Sequence, residues 1–252
     1  MNRFRAKLGE SHLHTLGTMS DLAETYSRQG KYIDAEVLQK QCLAKMKAVI
    51  GENHPLTLHT MHDLAITYDN QAMYRDAEIL YKQCLDKKKA ILGESDHSTL
   101  CTMNSLAVTY DHQGKYREAE VLYKQCLDKR KVLAGENHPD ILSTMNNLGA
   151  TYNNQAKYRE AEVLFMHCLA KEKVVLGENH PSTLLTMHNL AGAYSGQGKH
   201  SDAEVLYKQC LAKRKLVLGE NHHSTIDTMN RLERTRDLKV SIAKLRSFSS
   251  SA

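Results

Sequence analysis

The chain has 252 residues and a formal net charge of +5, with acidic and basic residues interleaved along its length. This pattern argues against a nucleic-acid binder, which concentrates lysine and arginine on one face and adds exposed aromatic side chains for stacking. The sequence predicts no membrane partner, because no run approaches the roughly 18–20 apolar residues of a membrane-spanning helix.

The composition is skewed toward copied residues, with no Trp but twelve Tyr, ten Met and fourteen His, and such a skew is typical of an internal repeat. A Gly-Glu pair recurs every 42 residues, and its glycines are Gly9, Gly51, Gly93, Gly135, Gly177 and Gly219. The same step carries a column of Met and a column of Leu, and no insertion breaks the register. The chain is therefore predicted to be a repeat protein.

Each repeat has the periodicity of two helices. In the second repeat, apolar residues at i, i+3, i+4 and i+7 predict a first helix, A, through Met61, Leu64, Ala65 and Tyr68. A similar stripe predicts a second helix, B, through Ala77, Leu80, Tyr81, Cys84 and Leu85. The short turn at 70–73 makes the two an antiparallel hairpin. Gly51 is expected to end helix B, and Pro55 suits the first turn of the next helix A.

The Gly-Glu pairs set the expected boundaries along the chain. Residues 1–8 are read as the remnant of a preceding helix B, 219–246 as a C-terminal cap helix and 247–252 as a flexible tail. Between them lie five repeats, at 9–50, 51–92, 93–134, 135–176 and 177–218. The remnant predicts either further repeats upstream or an apolar flank that a second copy or a partner covers.

A single hairpin cannot bury both of its faces, so neighbouring repeats must stack. The predicted fold class is all-α, a right-handed superhelical solenoid of antiparallel helix pairs in which helix A lines the concave side. The helix-A run from Met through Leu-Ala to Tyr, followed by Ala and an aromatic in helix B, resembles the tetratricopeptide repeat. The 42-residue step and the linker Gly51-Glu52-Asn53-His54-Pro55 resemble the longer repeats of kinesin light chains and nephrocystin-like proteins.

This resemblance implies a protein–protein interaction module, or adaptor, that binds an extended peptide of a partner in the concave groove. It leaves open a cytoskeletal or motor link, although the N-terminal heptad coiled coil of kinesin light chains has no counterpart in this sequence. The alternatives are a structural, self-associating array that uses the N-terminal half-repeat, and a fragment of a larger multidomain scaffold. No nucleophile–base set supports an enzyme, and no cofactor is predicted.

Groove residues are expected on helix A beside the apolar stripe. The first predicted column directly follows the Met column: Ser20, His62, Asn104, Asn146, His188 and Asn230. Seven residues further along lie Asp69, Asp111 and Asn153. Asn both donates and accepts hydrogen bonds, so an Asn ladder suits a peptide backbone. The small residues Ala150 and Gly192 are expected to leave room for a bulky side chain, and the alternative is a merely solvated inner face.

Other patterns have simpler interpretations. The Cys column (Cys42, Cys84, Cys126, Cys168 and Cys210) lacks the close spacing of a zinc site, which favours buried thiols in a reduced, cytoplasmic protein. Cys101 breaks the period and is the one thiol worth testing for reactivity. His59 and His62 share a helix face without a further ligand, so no metal site is predicted. Lysine clusters at the ends of the B helices suit the helix dipole, with a basic convex surface as the alternative.

Overall fold

The computed structural model describes residue 9 and residues 12–249, and within these residues the backbone forms eleven α-helices and no strand. The helices α1–α11 span, in chain order, Leu13–Arg28, Tyr32–Ile50, Pro55–Asn70, Tyr74–Leu92, His97–His112, Tyr116–Ala134, Pro139–Asn154, Tyr158–Val175, Pro181–Gly196, His200–Leu218 and His223–Ser249. The odd-numbered helices are the predicted A helices and the even-numbered ones the predicted B helices. The all-α class is confirmed.

The last helix is longer than the sequence predicts, and residues of both predicted terminal segments lie outside the described residues. The last helix, α11, continues to Ser249, three residues beyond the expected end at 246, and no Gly or Pro interrupts the sequence there. The remainder of the predicted tail, 250–252, and the predicted helix-B remnant at 1–8 lie outside the described residues.

The helices group into two compact units, unit 1 at residues 1–129 and unit 2 at residues 130–252, with the boundary inside α6. In unit 1 each helix from α1 to α5 packs against the next, and the A helices α1, α3 and α5 also touch one repeat apart. In unit 2 the same pattern runs from α7 to α11, with contacts among α7, α9 and α11. Each unit is therefore an array of antiparallel helix pairs whose A helices form a continuous layer.

The repeated apolar columns form the core of each unit. Met, Leu and Ala of the A helices pack against a column of aromatic side chains on the B helices, and Tyr81, Tyr123, Phe165 and Tyr207 are almost completely buried. The predicted core thiols are also buried, and each donates to the carbonyl of a Leu 26 residues earlier, as from Cys84 to Leu58 at 3.3 Å. Burial raises the pKa of Cys42 to about 11, so this thiol stays protonated at neutral pH.

The linkers and turns explain two further sequence features. His54 caps α3 by accepting a hydrogen bond from the Leu56 N–H at 3.2 Å, and Pro55 occupies the first turn as predicted. Equivalent caps at His12, His138, His180 and His222 bring the capping residues to five of the fourteen histidines, whereas Asp96 caps α5. The turn from helix A to helix B needs a positive φ, which Gly30 adopts at 75°, but Ala72 and Ala156 occupy this position at 59° and 58°. Alanine is strained there because its Cβ crowds the backbone.

Candidate functional site

The first predicted groove column ranges from buried to exposed. In unit 1 it is partly exposed at Ser20, His62 and Asn104. In unit 2 Asn146 and His188 are buried, with 6% and 8% of their surface exposed, whereas Asn230 is exposed. The column therefore does not form a uniform open surface in either unit.

His62 links two neighbouring A helices of unit 1. Its Nδ1 lies 3.2 Å from Thr102 Oγ1 on α5, and the same hydroxyl accepts a hydrogen bond from Lys88 Nζ at 2.8 Å. Its ring meets the ring of Tyr81 edge-on, with 5.4 Å between the centroids. Burial, followed by the charge of Lys88, lowers the pKa of His62 to about 3, so the imidazole is neutral at physiological pH.

Asn146 and His188 have the same role in unit 2. The Asn146 amide donates to Thr186 Oγ1, and its carbonyl oxygen accepts from Asn189 Nδ2 at 2.8 Å. His188 Nδ1 lies 3.2 Å from Thr228 Oγ1 on α11. The sequence predicts that these side chains form hydrogen bonds with a ligand. In the structure they form most of them with the neighbouring A helix. Contact of this column with a ligand stays a prediction.

The second predicted column is partly exposed at Asp69, Asp111 and Asn153. Asp69 Oδ2 lies 3.0 Å from His112 Nδ1, and hydrogen bonding to this carboxylate raises the pKa of His112. Asn153 donates to the Asn189 carbonyl at 3.2 Å, while its own Oδ1 is buried without a hydrogen-bond partner. Asn153 therefore keeps one acceptor free, and that residue borders a pocket.

A pocket of about 410 Å³ opens on the A-helix side of unit 2, among α7, α9 and α11. Ala150 and Gly192 line it, at the positions where the sequence predicted room for a bulky side chain. A Cβ built on Gly192 would lie 3.5 Å from the Tyr207 hydroxyl, so any larger residue there would extend into the space. The volume is within the range of roughly 300–1,000 Å³ typical of ligand pockets.

The rim of this pocket is cationic. Arg231 and Arg234, both exposed on α11, line it together with the polar residues Asn153 and Ser195. Arg231 Nε lies 3.9 Å from Asp227 Oδ1, a long exposed ion pair of little strength. The guanidinium groups therefore favour an anionic group at the rim. Arg231 was missed by sequence reasoning because its column, two residues after Met, was not considered.

Cys101, singled out for its break in the period, is the one cysteine among the described residues that is not buried. Its Sγ lies 3.6 Å from His97 Nε2 one turn earlier on α5. Its reactivity stays a prediction.

Within the described residues, no helix has both the length and the apolar character needed to cross a membrane.

The sequence pattern of the tetratricopeptide repeat family matches residues 14–90, 98–171 and 140–215, well over half of the chain. No curated protein sequence matches this chain. Among solved structures, the nearly identical repeats of a Podosopora anserina kinesin light chain-type protein are 27% identical, with a TM-score of 0.70 over 81% of this chain and 97% of that one. The predicted resemblance to this repeat class is confirmed.

Two more distant structures share the fold. BtubC (BKLC) from P. vanneervenii is 22% identical, with a TM-score of 0.70 over 83% of each chain. The apo quorum sensor NprR from B. thuringiensis is 17% identical, with a TM-score of 0.69 over 88% of this chain and 58% of its own.

Proposed function

This chain belongs to the tetratricopeptide repeat family, and we propose that it is a cytoplasmic adaptor that binds an extended peptide of a partner protein on the A-helix face of unit 2. The observation that carries the proposal is the pocket lined by Ala150 and Gly192. The similarity to kinesin light chain-type repeats supports an adaptor role, and the six free cysteines support a reducing compartment.

The lining of the pocket suits one side chain of such a peptide. Small residues on α7 and α9 leave the space, and Tyr207 and Leu238 provide apolar surface. An acidic residue beside the inserted side chain would pair with Arg231 or Arg234. We therefore expect a bulky residue next to a carboxylate in the bound sequence.

Peptide display selected on the full chain tests this proposal. Gly192→Leu fills the pocket with ordinary contacts and removes a helix glycine, so the variant is expected to fold at least as well as the wild type. We expect the selected peptides to bind Gly192→Leu at least about tenfold more weakly, since an inserted side chain contributes on the order of 1–3 kcal/mol. Fluorescence anisotropy measures the affinity.

Ala170→Leu is the matched control, because it adds the same side chain on the exposed surface of α8. Binding that survives Gly192→Leu, or falls equally with Ala170→Leu, would exclude the pocket as the site.

Self-association is a second candidate function, favoured by exposed apolar residues near the ends of the B helices of unit 2. Val132, Val174 and Leu216 occupy equivalent positions and are 87%, 85% and 87% exposed. A contiguous patch of exposed apolar side chains marks an interaction surface, and these three recur at one position of successive B helices. Sedimentation equilibrium should show a dimer for the wild type and a monomer for Val174→Lys/Leu216→Lys. A wild type that stays monomeric at high concentration would contradict self-association. The N-terminal half-repeat that the sequence predicts for this role, at residues 1–8, lies outside the described residues.

A further inference from the structure

Unit 1 lacks one member of the buried aromatic column. The B helices carry Tyr81, Tyr123, Phe165 and Tyr207 at this position, but α2 carries Gln39. A pocket of about 240 Å³ borders Gln39, among α1, α2 and α3. The equivalent position in unit 2, beside Tyr207, also borders a pocket, so the pocket of unit 1 differs in having a buried amide where the others have a ring.

The Gln39 side chain is buried without full hydrogen bonding. The residue is only 2% exposed, and its Oε1 is buried and has no hydrogen-bond partner. A buried acceptor in this state costs roughly 1–3 kcal/mol. Because Gln39 lines the pocket, a donor placed there would recover that free energy.

Two carboxylates lie at the same pocket. Asp63 on α3 is mostly buried, with a 17% exposed side chain, and its ion-pair partner is the exposed imidazole of His59 at 3.4 Å. Glu24 on α1 pairs with Arg28 at 2.6 Å, but both side chains are exposed and such pairs are weak. Arg28 also lines the pocket, so the lining offers acceptors at Asp63 and Gln39 and carries two carboxylates against one guanidinium group.

We propose that this pocket binds the cationic side chain of an arginine or lysine from a partner protein. Its ammonium or guanidinium group would lie between the Asp63 carboxylate and Gln39 Oε1, and its aliphatic stem would contact Ile66. Arginine is the better fit, because its planar fork donates to a carboxylate and an amide oxygen simultaneously. The site lies entirely within unit 1 and does not depend on the pocket of unit 2.

The probe for this site is the peptide acetyl-Gly-Arg-Gly-amide, compared with its citrulline counterpart, which has the same shape and no charge. Titration of the isotope-labelled full chain, followed by NMR of the Ile66 and Asn70 amides, reports binding at the pocket. We expect shifts with the arginine peptide at millimolar concentration and about tenfold weaker binding of the citrulline peptide.

Two variants localise the binding. Gln39→Tyr restores the side chain of the other repeats and replaces the unpaired amide oxygen with a larger ring, so it should fold and abolish the shifts. Asp63→Asn should weaken binding about tenfold. Asp21→Asn is the matched control, because it removes an exposed neighbouring carboxylate that does not line the pocket, and it should change binding less than about twofold.

Equal binding of the citrulline peptide, persistence of the shifts in Gln39→Tyr, or no shifts at roughly 10 mM peptide would each overturn the proposal. Gly192→Leu separates it from the function proposed for unit 2. This variant should leave binding of the arginine peptide unchanged, and a loss of binding would show that the cationic probe binds elsewhere.

Discussion

The two units share a core and differ in the charge of their A-helix faces. Unit 1 carries acidic groups there, including Asp21, Glu24 and Asp63, together with Asp69 and Asp111. The equivalent positions in unit 2 carry only neutral residues on α7 and α9, among them Asn147, Asn189 and Asn153, while α11 carries Arg231, Arg234 and Asp237. Positions outside the core thus change charge without altering the helix pairs. A repeated scaffold can present different chemistry in each unit.

Substitutions in the aromatic column are expected to show the largest difference in stability between the two units. Phe165→Ala in unit 2 should lower the free energy of unfolding by about 3–5 kcal/mol, because it removes a fully buried ring. Gln39→Ala, at the equivalent position in unit 1, should change it by less than about 1 kcal/mol, because that site already contains a pocket and an unpaired oxygen. Urea unfolding of the full chain measures both.

A second substitution, at Gly149, tests whether the Phe165 ring contacts the neighbouring A helix as closely as the structure indicates. A Cβ on Gly149 would lie 2.6 Å from Phe165 Cε1, so Gly149→Ala should destabilise the wild type but be tolerated in Phe165→Ala. Additive effects of the two substitutions would show that the ring does not require this glycine.

Two buried titratable groups, Asp63 in unit 1 and His188 in unit 2, give stability contributions with opposite pH dependence. Burial raises the pKa of Asp63 to about 6, against the influence of His59, with Glu24 and Lys88 also near it. Its contribution to stability is therefore present below about pH 4 and is lost as the pH rises through 6. Burial and then Arg214 lower the pKa of His188 to about 4. That contribution is present above about pH 6.5 and is lost as the pH falls through 4.

Each group is expected to change the free energy of unfolding by roughly 1–3 kcal/mol across its pH range. Relative to Asp63→Asn, the wild type should lose stability between about pH 4 and 6 as the pH rises. Relative to His188→Gln, whose other neighbours are Asp227 and Arg231, the wild type should lose stability as the pH falls over the same range. Thermal unfolding at a series of pH values measures both slopes. Parallel slopes would contradict the assignment of these groups.

The sequence predicted features that depend on local pattern. The 42-residue step, the helix pairs, the proline at the start of α3 and the turn at 70–73 follow from residues close together in the chain. Burial of Asn146 and His188 could not be predicted in this way, because it depends on Thr186 and Thr228, each 40 residues further along.

The two pockets also differ in how far the sequence alone predicts them. The small residues Ala150 and Gly192, which share one helix-A column, were sufficient to indicate the pocket of unit 2. The pocket of unit 1 required comparison of Gln39 with its aromatic counterparts, together with the position of Asp63 on another helix. That comparison is available in the sequence, but the unpaired oxygen and the enclosing carboxylate are properties of the packed structure.

The smallest expected effect concerns the A-to-B turn, where the units should behave alike. Ala72 in unit 1 and Ala156 in unit 2 adopt a positive φ that Gly30, Gly114 and Gly198 adopt without strain. Replacing either alanine with glycine should stabilise the protein by about 1 kcal/mol, because relief of the left-handed strain exceeds the added chain entropy of glycine. This corresponds to a rise of roughly 2–4 °C in Tm.

The reverse substitutions, Gly114→Ala and Gly198→Ala, provide the matched control and should destabilise by a similar amount. Their equivalent Cβ positions meet no atom within 4 Å, so the backbone conformation alone is tested. If one alanine responds and the other does not, the turns differ between the units despite their equal φ angles. Equal responses would mean that the backbone of the hairpin is common to both units, and that their divergence is confined to side chains on the A-helix face and the Gln39 position.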